Sequence, residues 1–317
     1  EQELLAKKLC DLSFADKVFF CNSGAEAVEG AIKVARKFHS ASGNIERNEI
    51  ITFKNSFHGR TLATLAAASN PLHTDGFNPI PDGFLNIPLD KDLLEKSITN
   101  KTAAILVEPV QGEGGINPIP DEFLVLIREL CDENNILMIL DQVQCGMGRT
   151  GKLFSHERSG IEPDIITLAK GLGAGFPIGA VLSSEKASMG MSHGSHGSTF
   201  GGNPVGCSIA LRVLDLIEEE DILSNVNSAS KLLFKELDRL VAKHHNKISG
   251  TRGRGLMIGV ECIEKNSIIT DQAFKQGLLL VNASNNIIRL LPPLNISEVD
   301  ISEAVKKFDE ALSNLDI

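Results

Sequence analysis

The chain has 317 residues, 42% of them hydrophobic and 23% charged, the balance of an ordinary globular enzyme rather than of a disordered chain. No apolar run approaches the roughly 18–20 residues of a bilayer-spanning helix, which argues against a membrane protein. A net charge of −10 repels phosphate backbones and argues against nucleic-acid binding. Six cysteines (Cys10, Cys21, Cys131, Cys145, Cys207, Cys262) are scattered without a C-x-x-C pair. They read as reduced thiols of a cytosol-like compartment, with no metal site expected. Trp and Tyr are absent, so no mechanism can draw on a phenol from this chain.

The sequence starts at Glu1, and Glu1 to Leu12 already reads as part of an amphipathic helix. A longer natural N-terminus is therefore expected. A transit peptide on it would place the protein in the mitochondrial matrix rather than the cytoplasm. The first apolar strand is Lys17–Cys21, followed by Asn22-Ser23-Gly24 and a helical pattern over Ala25–Ser40. Small residues at such a turn let a phosphate approach the free N–H groups of a helix start, where the macrodipole favours an anion. Read alone, the same residues are an ordinary turn, with Ser23 as N-cap and Glu26 completing a capping box.

Further strands are expected at Ile50–Phe53, Ala103–Glu108, Leu137–Asp141, Asp164–Leu168 and Ala180–Ser183, with helices at Pro120–Asn134 and Pro204–Asp221. Short apolar strands alternating with helices indicate a mostly parallel α/β sheet. Asp141 closes an apolar strand, and a buried carboxylate is costly unless a cation meets it. A protonated pyridine nitrogen is one such cation; a turn-capping role is the alternative. Lys170 lies just past another apolar strand, followed by Gly171, Gly173 and Gly175. Desolvation would make its amine a usable nucleophile, whereas a plain loop lysine would reach solvent.

From about residue 221 the texture changes. A long amphipathic stretch, Asn225–His245, leads to shorter strands at Gly255–Cys262 and Ile287–Leu290. The expected organisation is a large domain over 1–221 and a small α+β domain over 222–317. In parallel sheets ligands sit beyond the carboxyl ends of strands. Asn22-Ser23-Gly24, Glu108, Asp141 and Lys170 all fall at such ends, which suggests one site.

In order along the chain stand Asn22-Ser23-Gly24-Ala25, Phe57-His58-Gly59-Arg60-Thr61 and Glu108-Pro109-Val110-Gln111-Gly112-Glu113-Gly114-Gly115. Asp141-Gln142-Val143-Gln144, Ala169-Lys170-Gly171 and Thr199-Phe200-Gly201-Gly202-Asn203-Pro204 follow. This series resembles the class III aminotransferases of pyridoxal-5′-phosphate (PLP) fold type I over essentially the whole chain, most closely their acetylornithine/ornithine group.

The resemblance implies PLP as cofactor, with Lys170 forming a Schiff base to it and then shuttling a proton. It gives Asp141 the pyridine nitrogen and Gln144 the phenolic oxygen, a contact that another aminotransferase class makes with Tyr. Phe57 and Val143 would flank the ring, and Gly24 and Ala25 would offer N–H groups to the phosphate. Thr199 would reach the phosphate of a neighbouring subunit, implying a homodimer with shared sites. Gln142, in the same cofactor-binding run, departs from the family, which carries Glu there. On the substrate side, the resemblance implies Arg60 for a carboxylate, Ser198 for the acylated amino acid and Arg289 for the second carboxylate. Glu108 would neutralise Arg289 when an amine-bearing substrate is bound. His58 follows the family pattern without an assigned role.

The implied reaction is transamination of N2-acetylornithine with 2-oxoglutarate in arginine biosynthesis, giving N-acetylglutamate semialdehyde and glutamate. Relatives with the same machinery use ornithine, succinylornithine, succinyldiaminopimelate or 4-aminobutyrate. A truncated, non-catalytic partner subunit that binds PLP is the reading from another class.

Overall fold

The computed structural model describes residues 1–68 and 70–315. The chain forms two compact units. Unit 1 comprises Glu1–Pro109, Ile119–Met147 and His156–Asp215; unit 2 comprises Val110–Pro118, Gly148–Ser155 and Leu216–Ile317.

Unit 1 opens with helix α1 (Gln2–Asp11), strand β1 (Lys17–Cys21), helix α2 (Gly24–Ala41) and strand β2 (Glu49–Phe53). Helices α3 (Leu62–Ala68) and α4 (Pro71–Thr74) lead to β3 (Phe84–Ile87), α5 (Lys91–Ser97) and β4 (Thr102–Val107). After the short pair β5 (Val110–Gln111) and β6 (Asn117–Pro118) come α6 (Asp121–Asn134), β7 (Leu137–Asp141), β8 (Ile165–Leu168) and β9 (Gly179–Ser183). Helices α7 (Glu185–Ser188) and α8 (Pro204–Glu219) follow.

Seven strands form one sheet in the order β1-β9-β8-β7-β4-β2-β3. The pairs from β3 through β8 are parallel, and β9 runs antiparallel to both its neighbours. Every residue of β4, β7, β8 and β9 is buried, as continuous apolar runs in a sheet covered on both faces should be. Helix α2 lays Ala27, Val28, Ala31 and Ile32 into one core with Leu106, Ile139 and Val181. Its approach is close: a Cβ on Gly30 would come within 2.9 Å of the Val181 side chain.

Unit 2 contains α9 (Ile222–Lys243), β10 (Ile248–Arg254), β11 (Met257–Cys262), α10 (Asn266–Lys275), β12 (Val281–Ala283), β13 (Ile287–Leu290) and α11 (Glu298–Ser313). Its antiparallel sheet has the order β10-β11-β13-β12. Two stretches that the sequence reading assigns to the large domain cluster with this unit. Residues 110–118 are fastened by Arg252, which donates from Nε to the Gly115 carbonyl (2.8 Å), and by Asn285, which donates to that of Gly114 (3.0 Å). Residues 148–155 are fastened by Arg149, whose guanidinium donates to the carbonyls of Leu256 (3.1 Å) and Pro292 (2.6 Å). Such polar anchors leave no apolar period for a sequence reading to find. Strand β10, Ile-Ser-Gly-Thr-Arg-Gly-Arg, escapes prediction for the same reason.

Among the described residues no helix is long and apolar enough to cross a membrane, and no His, Cys, Asp and Glu cluster could hold a metal ion.

One buried cation fixes the end of α11. Lys247, 6% exposed, donates from Nζ to the carbonyl of Leu312 (2.6 Å) in the last turn of the helix and to that of Leu315 (2.7 Å) just past it. Lys247→Met should keep the stem's packing yet lower stability by about 2 kcal/mol. Urea unfolding tests this, and a midpoint that does not move would reduce the lysine to a passive stem.

Candidate active site

The carboxyl ends of the unit 1 strands surround a cavity of about 630 Å³. Nine of the residues expected from the sequence line it: Gly24, Ala25, Phe57, Arg60, Glu108, Asp141, Val143, Gln144 and Lys170. Each is placed by a strand terminus or the loop just beyond it.

One wall is the start of α2. The Ser23 side chain accepts from the Glu26 N–H (3.2 Å), and the Glu26 carboxylate accepts from the Asn22 N–H (2.7 Å). This capping leaves the N–H groups of Gly24 and Ala25, which no helix carbonyl can reach, for an anion. A Cβ on Gly24 would meet Val143 at 2.6 Å, so only glycine permits this contact between wall and floor.

The floor is Asp141, 3% exposed at the end of β7. Its Oδ1 accepts from the Thr167 hydroxyl and from the Val143 N–H, each at 3.1 Å. Its Oδ2 accepts from His58 Nδ1 at 2.8 Å. His58 is itself 2% exposed, and its Nε2 is buried without a hydrogen-bond partner. An orphaned buried polar atom costs on the order of 1–3 kcal/mol.

Lys170 stands two residues past β8 with φ +41°, in the left-handed region that a non-glycine residue adopts only when its surroundings impose it. The sequence reading expects a desolvated lysine. The structure corrects this: Lys170 is exposed, because it opens onto the cavity. Phe57 is held through its backbone, whose N–H donates to Glu108 Oε2 at 2.8 Å. Arg60 is exposed at the rim, its guanidinium 5.5 Å from the Phe57 ring centroid and within 3.3 Å of His73 Nε2.

The other expected residues lie elsewhere. Ser198 adjoins the cavity through Asn22, whose side-chain amide donates to Ser198 Oγ at 3.2 Å. Thr199 is exposed and outside the lining. Arg289 belongs to unit 2, where its Nη1 meets Glu113 Oε1 at 2.6 Å. Gln142, expected among the cofactor contacts, is absent from the cavity wall. Successive side chains at a strand end point to opposite faces. Asp141 takes the cavity face, and Gln142 is buried against His156, its amide 2.8 Å from Nδ1.

The sequence reading missed Thr167, Glu113 and the contact made by His58. A hydroxyl inside the otherwise apolar Ile165-Ile166-Thr167-Leu168 is the signal for Thr167. Glu113 and His58 stand in family-like runs, but nothing local names their partners, which are distant in sequence.

Comparison with known proteins agrees with this geometry. Residues 1–312 match the family described as aminotransferase class-III. The acetylornithine aminotransferase of Brucella melitensis is 47% identical over 317 residues, covering 100% of this chain and 79% of that protein. The crystal structure of the N-acetylornithine aminotransferase from Stenotrophomonas maltophilia superposes with a TM-score of 0.84 at 37% identity, over 99% of this chain and 79% of that one. The ornithine aminotransferase of Toxoplasma gondii superposes with a TM-score of 0.94 at 30% identity, over 98% and 76% of the two chains.

Burial pushes the His156 imidazole from its ordinary 6.5 down to about 4. The unfolded ring takes up a proton below pH 6.5 that the native ring refuses. The native fold therefore pays nothing above pH 6.5 and loses about 1.4 kcal/mol per unit as the pH falls towards 4, on the order of 3 kcal/mol in all. His156→Asn keeps an acceptor for the Gln142 amide but cannot titrate, so it should flatten that part of the stability–pH curve. Parallel curves for variant and parent would contradict the assignment.

Family profile, identity along the full chain and a strand-end cavity with lysine and carboxylate agree: the chain belongs to the class-III aminotransferases, the family whose cofactor is pyridoxal 5′-phosphate.

Proposed function

We propose that this chain transaminates N2-acetylornithine with 2-oxoglutarate in arginine biosynthesis, giving N-acetylglutamate semialdehyde and glutamate. The observation that carries the substrate reading is the 47% identity to an acetylornithine aminotransferase along the whole chain. The reaction type rests on the family and on the cavity.

The cavity residues fit the cofactor. A helix N-terminus suits its phosphate, a buried carboxylate with lone pairs to spare suits its pyridine N–H, and Phe57 and Val143 suit its ring faces. When bound, PLP would supply a ring that accepts the electron pair left when the substrate's amine-bearing carbon, Cδ of N2-acetylornithine or Cα of glutamate, loses its proton. The Lys170 amine would take that proton and return it across the amino nitrogen to the cofactor's C4′. Asp141 would accept from the pyridine N–H and keep that nitrogen protonated. Gln144 would donate to the ring's phenolic oxygen, and Glu108 holds Phe57 by accepting from its backbone N–H. Arg60 would grip a substrate carboxylate with its planar fork, and Ser198 would contact the acylated amino acid.

Arg289 receives the second carboxylate of glutamate or 2-oxoglutarate. The resemblance gives the neutralising role to Glu108; the 2.6 Å ion pair supports Glu113 for it. With the diamino acid, Glu113 stays on Arg289; with a dicarboxylate, it yields the guanidinium.

The exposed Thr199 and Phe200 support a homodimer in which Thr199 reaches the partner's cofactor phosphate. The six free cysteines support a cytoplasmic setting.

A screen of amino donors with 2-oxoglutarate tests the substrate. N2-acetylornithine should exceed ornithine and 4-aminobutyrate by at least tenfold in kcat/KM, and Lys170→Ala should abolish turnover with all of them. A preferred ω-amino donor without an acyl group would overturn the substrate, and an active Lys170→Ala would overturn the mechanism.

Glu113→Ala should leave Arg289 free for a carboxylate. The half-reaction with glutamate should then gain on that with acetylornithine by about tenfold or more, the scale of one charge-assisted pair. Stopped-flow traces of each half-reaction, run beside Glu108→Ala, decide between the two carboxylates. Equal slowing of both half-reactions by Glu113→Ala would remove it from the switch.

A further inference from the structure

We propose that His58 is a positioning residue for Asp141, setting the orientation in which that carboxylate meets the pyridine nitrogen; this rests on the PLP reading of the cavity. His58 lines the cavity, yet its ring is directed through Nδ1 at Asp141 Oδ2 (2.8 Å). An ionised carboxylate only accepts, so the ring proton is on Nδ1.

Three donors from three places hold the carboxylate: His58 from the loop after β2, Thr167 from β8 and the backbone of Val143. Thr167 and Val143 share Oδ1, and the imidazole is the donor on Oδ2. Without the imidazole, rotation of the carboxylate about its Cβ–Cγ bond would be opposed at one oxygen alone.

Space filling does not explain the histidine. A leucine or phenylalanine would fill a site only 2% exposed without leaving a polar atom unserved, and Nε2 is such an atom. A group that leaves one ring nitrogen unsatisfied while the other bonds a floor carboxylate is placed for that carboxylate.

Two variants separate the donor from the volume. His58→Leu keeps an apolar filling and removes the donor; His58→Asn retains an amide N–H that can reach Oδ2. Equilibrium dialysis of PLP against each cofactor-free protein should show affinity about tenfold to a hundredfold weaker for His58→Leu. The visible absorption of the bound cofactor should titrate at a shifted pH in that variant, and His58→Asn should restore most of both.

Parent-like affinity and titration in His58→Leu, or equal damage in both variants, would overturn the proposal. Failure of the parent chain itself to bind PLP would instead sink the cofactor reading. Should His58→Leu not fold, 15N NMR of the histidine rings in the cofactor-free parent decides. A proton on Nδ1 that is lost as a hydrogen-bonded signal in Asp141→Ala supports the role, and a proton on Nε2 overturns it.

Discussion

A buried carboxylate governs the architecture of the cavity. Asp141 sits 3% exposed at the end of an entirely buried strand, and such a charge is tolerated only when donors and a cation meet it. The protein supplies the donors from β8, from its own following turn and from the loop after β2. Each has to arrive within hydrogen-bond reach, and for Thr167 the register of neighbouring strands ensures it. The pairing of Asp141 with Thr167 is set by the parallel ladder of β7 and β8, and the same ladder delivers Lys170 three residues later. The demand of one charge thus fixes the local sheet, and the sheet fixes the lysine.

The second constraint is closeness. Gly24 admits Val143 to van der Waals range, and Gly30 lets α2 lie against Val181. These contacts bring a helix N-terminus, with its unserved N–H groups, to the same strand ends as the carboxylate. An anion-binding end and a cation-seeking floor then face one cavity, the polarity that a phosphate-bearing pyridine requires. Neither feature is specific by itself; their conjunction on one sheet is.

Legibility in the sequence followed the physics of each residue. The buried strands of unit 1 were readable because continuous apolar runs have few other uses, and β1 and β7 match the expected spans residue for residue. Nine site residues fall on the cavity because strand termini, glycine turns and a lone lysine leave marks within a few positions. What escaped was set at long range. The ion pair of Glu113 and Arg289 spans 176 residues, and the bond from His58 to Asp141 spans 83. The attachment of 110–118 and 148–155 to unit 2 is made by arginine and asparagine side chains on backbone carbonyls, which impose no period on the sequence. The burial of Lys170 was misjudged because a strand-end lysine can face either core or cavity, and only the three-dimensional arrangement distinguishes them.

Gln142, a departure from the family's Glu, is turned away from the cavity. It follows Asp141 directly, so a carboxylate there would place a second negative charge one residue from the first. Strand alternation sends the two side chains to opposite faces, and Gln142 meets His156 in the protein interior. Since burial holds that imidazole neutral down to about pH 4, a neutral amide is the partner it can accept without importing charge. A glutamate would need either a protonated histidine or a desolvated anion, each costly at that depth. With glutamine, the interior behind the cavity floor stays neutral at this pair, and Asp141 is the charge that the cavity presents at the end of β7. The electrostatics that a pyridine nitrogen would meet are therefore set on the cavity face, by Asp141 and the donors that hold it, and not by the residue beside it in sequence.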